Sequence, residues 1–117
     1  MANPNIVNVS SILGKTDTFA LTTSSANLVT ATANTVFKIN SILVTNIDGT
    51  SAADVTISYN DLTNTRAMAS TISVPADATL SVIDKTNSFY LEETEVITGL
   101  ASANSDLVCL ISYEIIS

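Results

Sequence analysis

The segment Asp54-Val55-Thr56-Ile57-Ser58-Tyr59-Asn60 sets the fold class. Val55, Ile57 and Tyr59 alternate with polar residues, the period of a strand with one buried and one wetted face. The longest series of this kind closes the chain, where Leu107, Cys109, Ile111, Tyr113 and Ile115 share one face. The pattern recurs over residues 68–74, 79–82 and 89–92, and weaker strands are predicted over 6–13, 18–22, 28–33 and 96–101. Thr, Val and Ile are spread through the whole chain, and β-branched side chains lose less freedom on a pleated surface than in a helix. No apolar i, i+3, i+4, i+7 pattern lasts three turns, so no substantial helix is predicted.

Turn chemistry separates these runs. Gly14-Lys15-Thr16-Asp17, residues 60–64, Asp84-Lys85-Thr86-Asn87 and residues 103–106 read as turns. Asp48-Gly49-Thr50 is the strongest of them, because Asp-Gly favours positive φ. Pro75 stops the strand before it, since proline cannot donate to a ladder. Eight to ten short strands at near-regular spacing predict an all-β, antiparallel sandwich or barrel. A chain of 117 residues holds one domain, spanning residues 1–117.

The stretch from Phe37 to Ile47 breaks the simple alternation. Phe37, Ile39, Leu43 and Ile47 share one parity, yet Ile42 and Val44 lie among the polar residues of the other. Two readings fit. A bulge near Asn40-Ser41 resets the phase, or the outer face packs on another subunit. The last strand raises the same question with Val108, Leu110 and Ile116 opposite its core face. On the second reading Ile42, Val44, Val108, Leu110 and Ile116 are interface candidates.

Composition excludes several functions. Four basic against eleven acidic side chains give a net charge of −7, without the Lys/Arg clusters that contact nucleic-acid phosphates. The absence of histidine removes Ser-His-Asp, Cys-His and His-metal chemistry. A single cysteine makes no internal disulfide and no cysteine-based zinc site. The first residues carry no basic segment followed by an apolar one, so no secretory signal is predicted. No apolar run approaches the roughly 20 residues a spanning helix needs, so no membrane partner is predicted.

The remaining chemistry-bearing residues read as structural. Cys109, on an apolar core face with no activating base, is core filler. Glu92-Glu93-Thr94-Glu95 is the one acidic cluster, and it reads as a solvated strand end that discourages edge pairing. Asp48, Asp54 and Asp61 show no calcium-loop spacing. The three glycines form no phosphate loop. Tyr90 is the one aromatic predicted to be exposed, and Arg66 reads as a loop cation. No catalytic, cofactor-binding, metal or small-molecule substrate site is predicted.

Taken in order, several segments resemble small virion structural proteins of tailed bacteriophages, especially marine and cyanophage-like ones. They are residues 1–12, Val36-Phe37-Lys38-Ile39-Asn40-Ser41-Ile42, Asn46-Ile47-Asp48-Gly49-Thr50, residues 52–56, residues 73–80, Tyr90-Leu91-Glu92-Glu93 and Ser112-Tyr113-Glu114. Thr94 departs from the pattern, which more often turns through glycine after the paired glutamates. The resemblance implies a jelly-roll-like sandwich made in the host cytoplasm and present in many copies in the virion, on the capsid surface. The implied role is that of a non-enzymatic decoration or cement protein, with the major capsid protein and copies of itself as partners. The alternatives are a tail, collar or fibre-associated subunit, and, from another class, a host-glycan adhesion module.

Overall fold

The computed structural model describes residues 10–117, so the part of the predicted 6–13 strand before Ser10 lies outside the described residues. Nine strands follow in order: β1 (Ile12–Ala20), β2 (Ala26–Thr30), β3 (Val36–Asn46), β4 (Ala53–Asn60), β5 (Thr65–Val74), β6 (Thr79–Ile83), β7 (Phe89–Leu91), β8 (Val96–Ala101) and β9 (Leu107–Ile116). One short 3-10 turn, Lys85–Asn87, separates β6 from β7. It closes with a capping box in which Asp84 accepts from the Thr86 N–H and the Asn87 side chain accepts from the Asp84 N–H.

The strands form two antiparallel sheets. Sheet A runs β1-β9-β3-β6, with β7 also on β3, and sheet B runs β2-β8-β4-β5. Taking β6 and β7 as one interrupted strand leaves eight, and the spatial orders become first-eighth-third-sixth and second-seventh-fourth-fifth. That double Greek key is a jelly roll. The two inner faces interdigitate in one core that includes Ile39, Ile42, Val44, Val55, Ile57, Ile97, Cys109 and Ile111, each fully buried. Burying one such aliphatic side chain contributes about 1.5–3 kcal/mol. Gly99 keeps β8 thin at this core, because a Cβ there would lie 2.8 Å from Leu28 Cδ1 and 3.0 Å from Ile57 Cδ1.

Tertiary structure departs from the local reading at three points, and at the first of them strand pairing overrides turn chemistry. Gly14-Lys15-Thr16-Asp17 is not a turn. It forms the middle of β1, which pairs with β9 in an unbroken register from Ile12↔Ile116 to Ala20↔Val108. Nine consecutive ladder positions outweigh the weak turn preference of four residues. The loop after Asn46 links β3 of sheet A to β4 of sheet B, so no hairpin forms there, and Gly49 has no positive φ. Asp48 Oδ1 instead accepts from the Thr50 N–H at 2.9 Å in an Asx turn. Arg66 lies within edge strand β5 rather than in a loop.

The phase of β3 follows the first of the two sequence readings, a bulge near Asn40-Ser41, and overturns the second, which put Ile42 and Val44 at an interface. Its register on β9 shifts between Ile39↔Tyr113 and Ser41↔Ser112, leaving Asn40 as the extra residue of a bulge. From Ser41 onward the inward positions are therefore even-numbered. Ile42 and Val44 are 0% exposed, Leu43 faces outward, and Ile47 is 60% exposed. Asn46 takes the inward position at the strand end. It is fully satisfied there, donating to the Ser51 and Val74 carbonyls and accepting from the Asp48 N–H.

Candidate assembly surfaces

Of the interface candidates, Ile42 and Val44 are wholly inside the subunit and Ile116 is buried across from Val36. The bulge turns Ile42 and Val44 inward, and none of the three offers surface to a second molecule. Val108 and Leu110 do face outward and are half-buried. Register places Leu43 directly beside Leu110 and Thr45 beside Val108 on the outer face of sheet A. Thr18 and Ala20 extend the same rows on β1, and Ser81 and Thr79 extend them on β6. The result is a patch with an apolar centre and a small, hydroxyl-bearing rim. It carries no charged side chain. Sequence reading found two of its three large apolar members and missed Leu43, because the phase error at Asn40 assigned that residue to the core.

A second apolar surface lies where edge strands β5 and β6 approach each other. A shallow groove of about 330 Å³ is lined there by Met68, Ala69, Ser70, Ile72, Leu80, Ser81 and Val82. Its lining contains no titratable group, so it has no means of acid–base or nucleophilic chemistry.

The acidic cluster is more integrated than a solvated edge. Glu93 is buried at 9% exposure, and its carboxylate accepts from the Asn34 N–H, holding the loop before β3. Glu95 accepts from the Tyr59 hydroxyl and from the Glu92 N–H. These internal bonds direct two carboxylates at the protein's own backbone and phenol. Among the described residues no group of three or more potential ligands is placed to hold a metal ion. Thr94 turns through φ 67°, the left-handed conformation that a glycine would adopt more readily.

Electrostatics elsewhere follows local structure. Burial, with the Glu95 carboxylate beside it, raises the Tyr59 phenol above its ordinary range. Burial and the 2.6 Å bond to Asp17 do the same for Tyr113. Burial also pushes the Cys109 thiol up to about 12, which leaves it protonated and unreactive near neutrality. Tyr90 is 44% exposed, as the sequence predicts, on β7 beside Lys38. Among the described residues no helix is long and apolar enough to cross a membrane.

Fold and surface together define a jelly-roll β-sandwich with an uncharged patch on the outer face of one sheet. Similar architectures occur in a protein of the capsid of Helicobacter pylori bacteriophage KHP30 (TM-score 0.56, 9% identity, covering 94% of this chain and 90% of that one). They also occur in a subunit of Bacillus endospore appendages, which form disulfide-linked pili (TM-score 0.51, 13% identity, covering 99% of this chain and 98% of that one). At these identities the likeness is one of fold. No protein-family model matches the chain, and no curated protein sequence is significantly similar to it.

Proposed function

We propose that this chain is a non-enzymatic structural subunit of a phage virion, acting as a decoration or cement protein on the head shell. The observation that carries the reading is the uncharged patch on the outer face of sheet A, centred on Leu43, Val108 and Leu110 and bounded along the strands by Lys38 and Glu114. On a chain with net charge −7, an uncharged patch is a surface where contact brings no local like-charge repulsion. Such a face suits contact with the major capsid protein or with another copy. The mechanism is linkage: a subunit that binds the assembled lattice and not its dissociated parts shifts the balance toward assembly. A stable attachment needs roughly 1,000 Å² or more of buried surface.

The capsid neighbour and the ordered virion-like segments support this setting, and the absence of a histidine base supports a non-catalytic role. The fold is also shared with a pilus subunit, but Cys109 is completely buried on β9. A disulfide-linked fibre is therefore not the reading its one thiol supports. A tail or collar position is told apart from shell decoration by copy number and by location on the particle. Mass spectrometry of purified particles, followed by image reconstruction, tests the proposal. The expected result is this polypeptide at hundreds of copies on the shell. Its absence from mature particles would overturn the reading, and a few copies near the tail would replace it with the second one.

A further inference from the structure

We infer that β1 is a self-complementary edge through which two copies of this chain join in antiparallel register, extending sheet A across a two-fold axis. The inference deepens the assembly reading, on which it rests only for its biological setting.

β1 ends sheet A, and among the described residues no element pairs with its outer edge. The two longest edge strands differ sharply. β5 shifts register twice against β4 and bends through Thr71 at φ 50°. Bulges of this kind protect an edge from pairing. β1 has no register shift over nine residues. Its N-terminal half is also uncovered: Ile12 and Leu13 are each 58% exposed, and the Lys15 side chain is 51% exposed.

The hydrogen-bond phase is known. Ser11 and Ser117 exchange both backbone bonds at 3.0 Å, and the Leu21 N–H donates to the Leu107 carbonyl at 2.9 Å. Odd-numbered residues of β1 thus bond to β9. Ile12, Gly14, Thr16, Thr18 and Ala20 direct their N–H and C=O groups to the free edge.

A full overlap of β1 with its own copy centres on Thr16. Thr16 then faces Thr16, Gly14 faces Thr18, and Ile12 faces Ala20, all through free-edge backbone groups. The alternate pairs are Lys15 against Asp17 and Leu13 against Phe19, each occurring twice by symmetry. These fall at non-hydrogen-bonded positions, where opposed Cα atoms are about 4.5 Å apart and side chains meet most closely. Sliding the copies by one permitted step opposes Lys15 to Lys15 or Asp17 to Asp17. Opposite charges therefore favour one register, and like charges disfavour its neighbours. Asp17 already lies 3.9 Å from Lys15 of its own strand and accepts from Tyr113 of β9 through Oδ2, so Oδ1 is the oxygen left for a lysine across the free edge.

The test uses the purified full chain. Sedimentation equilibrium is expected to show a dimer at about 100 µM, a concentration that detects weak pairing. Under mild oxidation Thr16→Cys is expected to cross-link through opposed Cα atoms about 5.5 Å apart. Thr18→Cys is not, because its own counterpart lies about 13 Å along the strand. Lys15→Asp and Asp17→Lys are each expected to weaken self-association about tenfold, and their one-to-one mixture to recover it as a heterodimer. Thr18→Pro removes a donor that β9 does not use and is expected to leave a folded monomer. A monomeric wild type, efficient cross-linking through Thr18→Cys, or a Thr16→Cys protein that stays unlinked would each overturn the inference. The cysteine pair keeps the test decisive if Asp17→Lys fails to fold. A dimer that is missing from particles would sustain this interface and sink the virion reading, and a particle-bound monomer would do the reverse.

Discussion

The two faces of sheet A share the same strands and differ in what they do. Inward, β3 and β9 present Ile42, Val44, Cys109 and Ile111, all fully buried. Outward, the residues between them are Leu43, Thr45, Val108 and Leu110, half-buried in the single subunit. Hydrophobicity alone does not separate the two sets. The inner set is covered by sheet B, and the outer set has no covering layer among the described residues. An apolar side chain on the first face therefore contributes to folding, and one on the second is free to contribute to assembly.

The contrast is open to direct challenge, beginning with the largest effect. Ile42→Asp places an unpaired carboxylate in the core and is expected to destabilise the fold by more than about 4 kcal/mol, leaving an unfolded protein by circular dichroism. A folded, cooperative Ile42→Asp protein would show that the bulge does not set the phase of β3. Next, Asn46→Ala removes three satisfied hydrogen bonds at the end of the inward row and is expected to cost about 2–4 kcal/mol in a urea titration. Leu110→Asp sharpens the comparison from the other side. Its stability is expected to change by less than about 1 kcal/mol, because the new carboxylate reaches water. Its occupancy on particles is expected to collapse, as measured by mass spectrometry.

The smaller effects concern pH. Tyr59 and Tyr113 titrate above their ordinary value near 10.0 in the folded chain. Above that pH the unfolded chain has lost phenolic protons that the folded chain keeps, so stability is full below about pH 10 and falls as pH rises further. Thermal melts of Tyr113→Phe are expected to show a shallower alkaline decline than the wild type. At the acid end the signs reverse. Asp48 is lowered mainly by the Thr50 backbone bond, Asp61 by Asn64, and Asp84 by the Thr86 side chain. Their contribution is present above their ordinary value near 3.8 and is lost as pH falls through the lower folded values. All three are exposed Asx-type turns, so this acid decline is expected to be the weakest effect of the series.

Much of the architecture was legible in particular residues. The 54–60 alternation matches β4, Pro75 marks the end of β5, and Asp84–Asn87 marks the break between β6 and β7. Cys109 sits on the core face, and Tyr90 is exposed, as the pattern implies. The assembly surface was only half legible. Val108 and Leu110 follow from the period of β9, but the broken alternation of β3 admitted two readings, and only the pairing with β9 shows that the bulge turns Leu43 outward. The β1 edge was hidden more deeply, since Gly14-Lys15-Thr16-Asp17 has the composition of a turn and becomes a strand only through its partner.

By itself, the amino-acid sequence determined that this protein is all-β, acidic and without histidine. Those properties depend on residue type and on a two-residue period, both of which are local. The tertiary structure alone decided the phase of β3, the inward place of Ile42 and Val44, and the openness of β1. Each of these depends on which strand lies alongside, and pairing between residues nearly a hundred positions apart leaves no trace in either strand read alone.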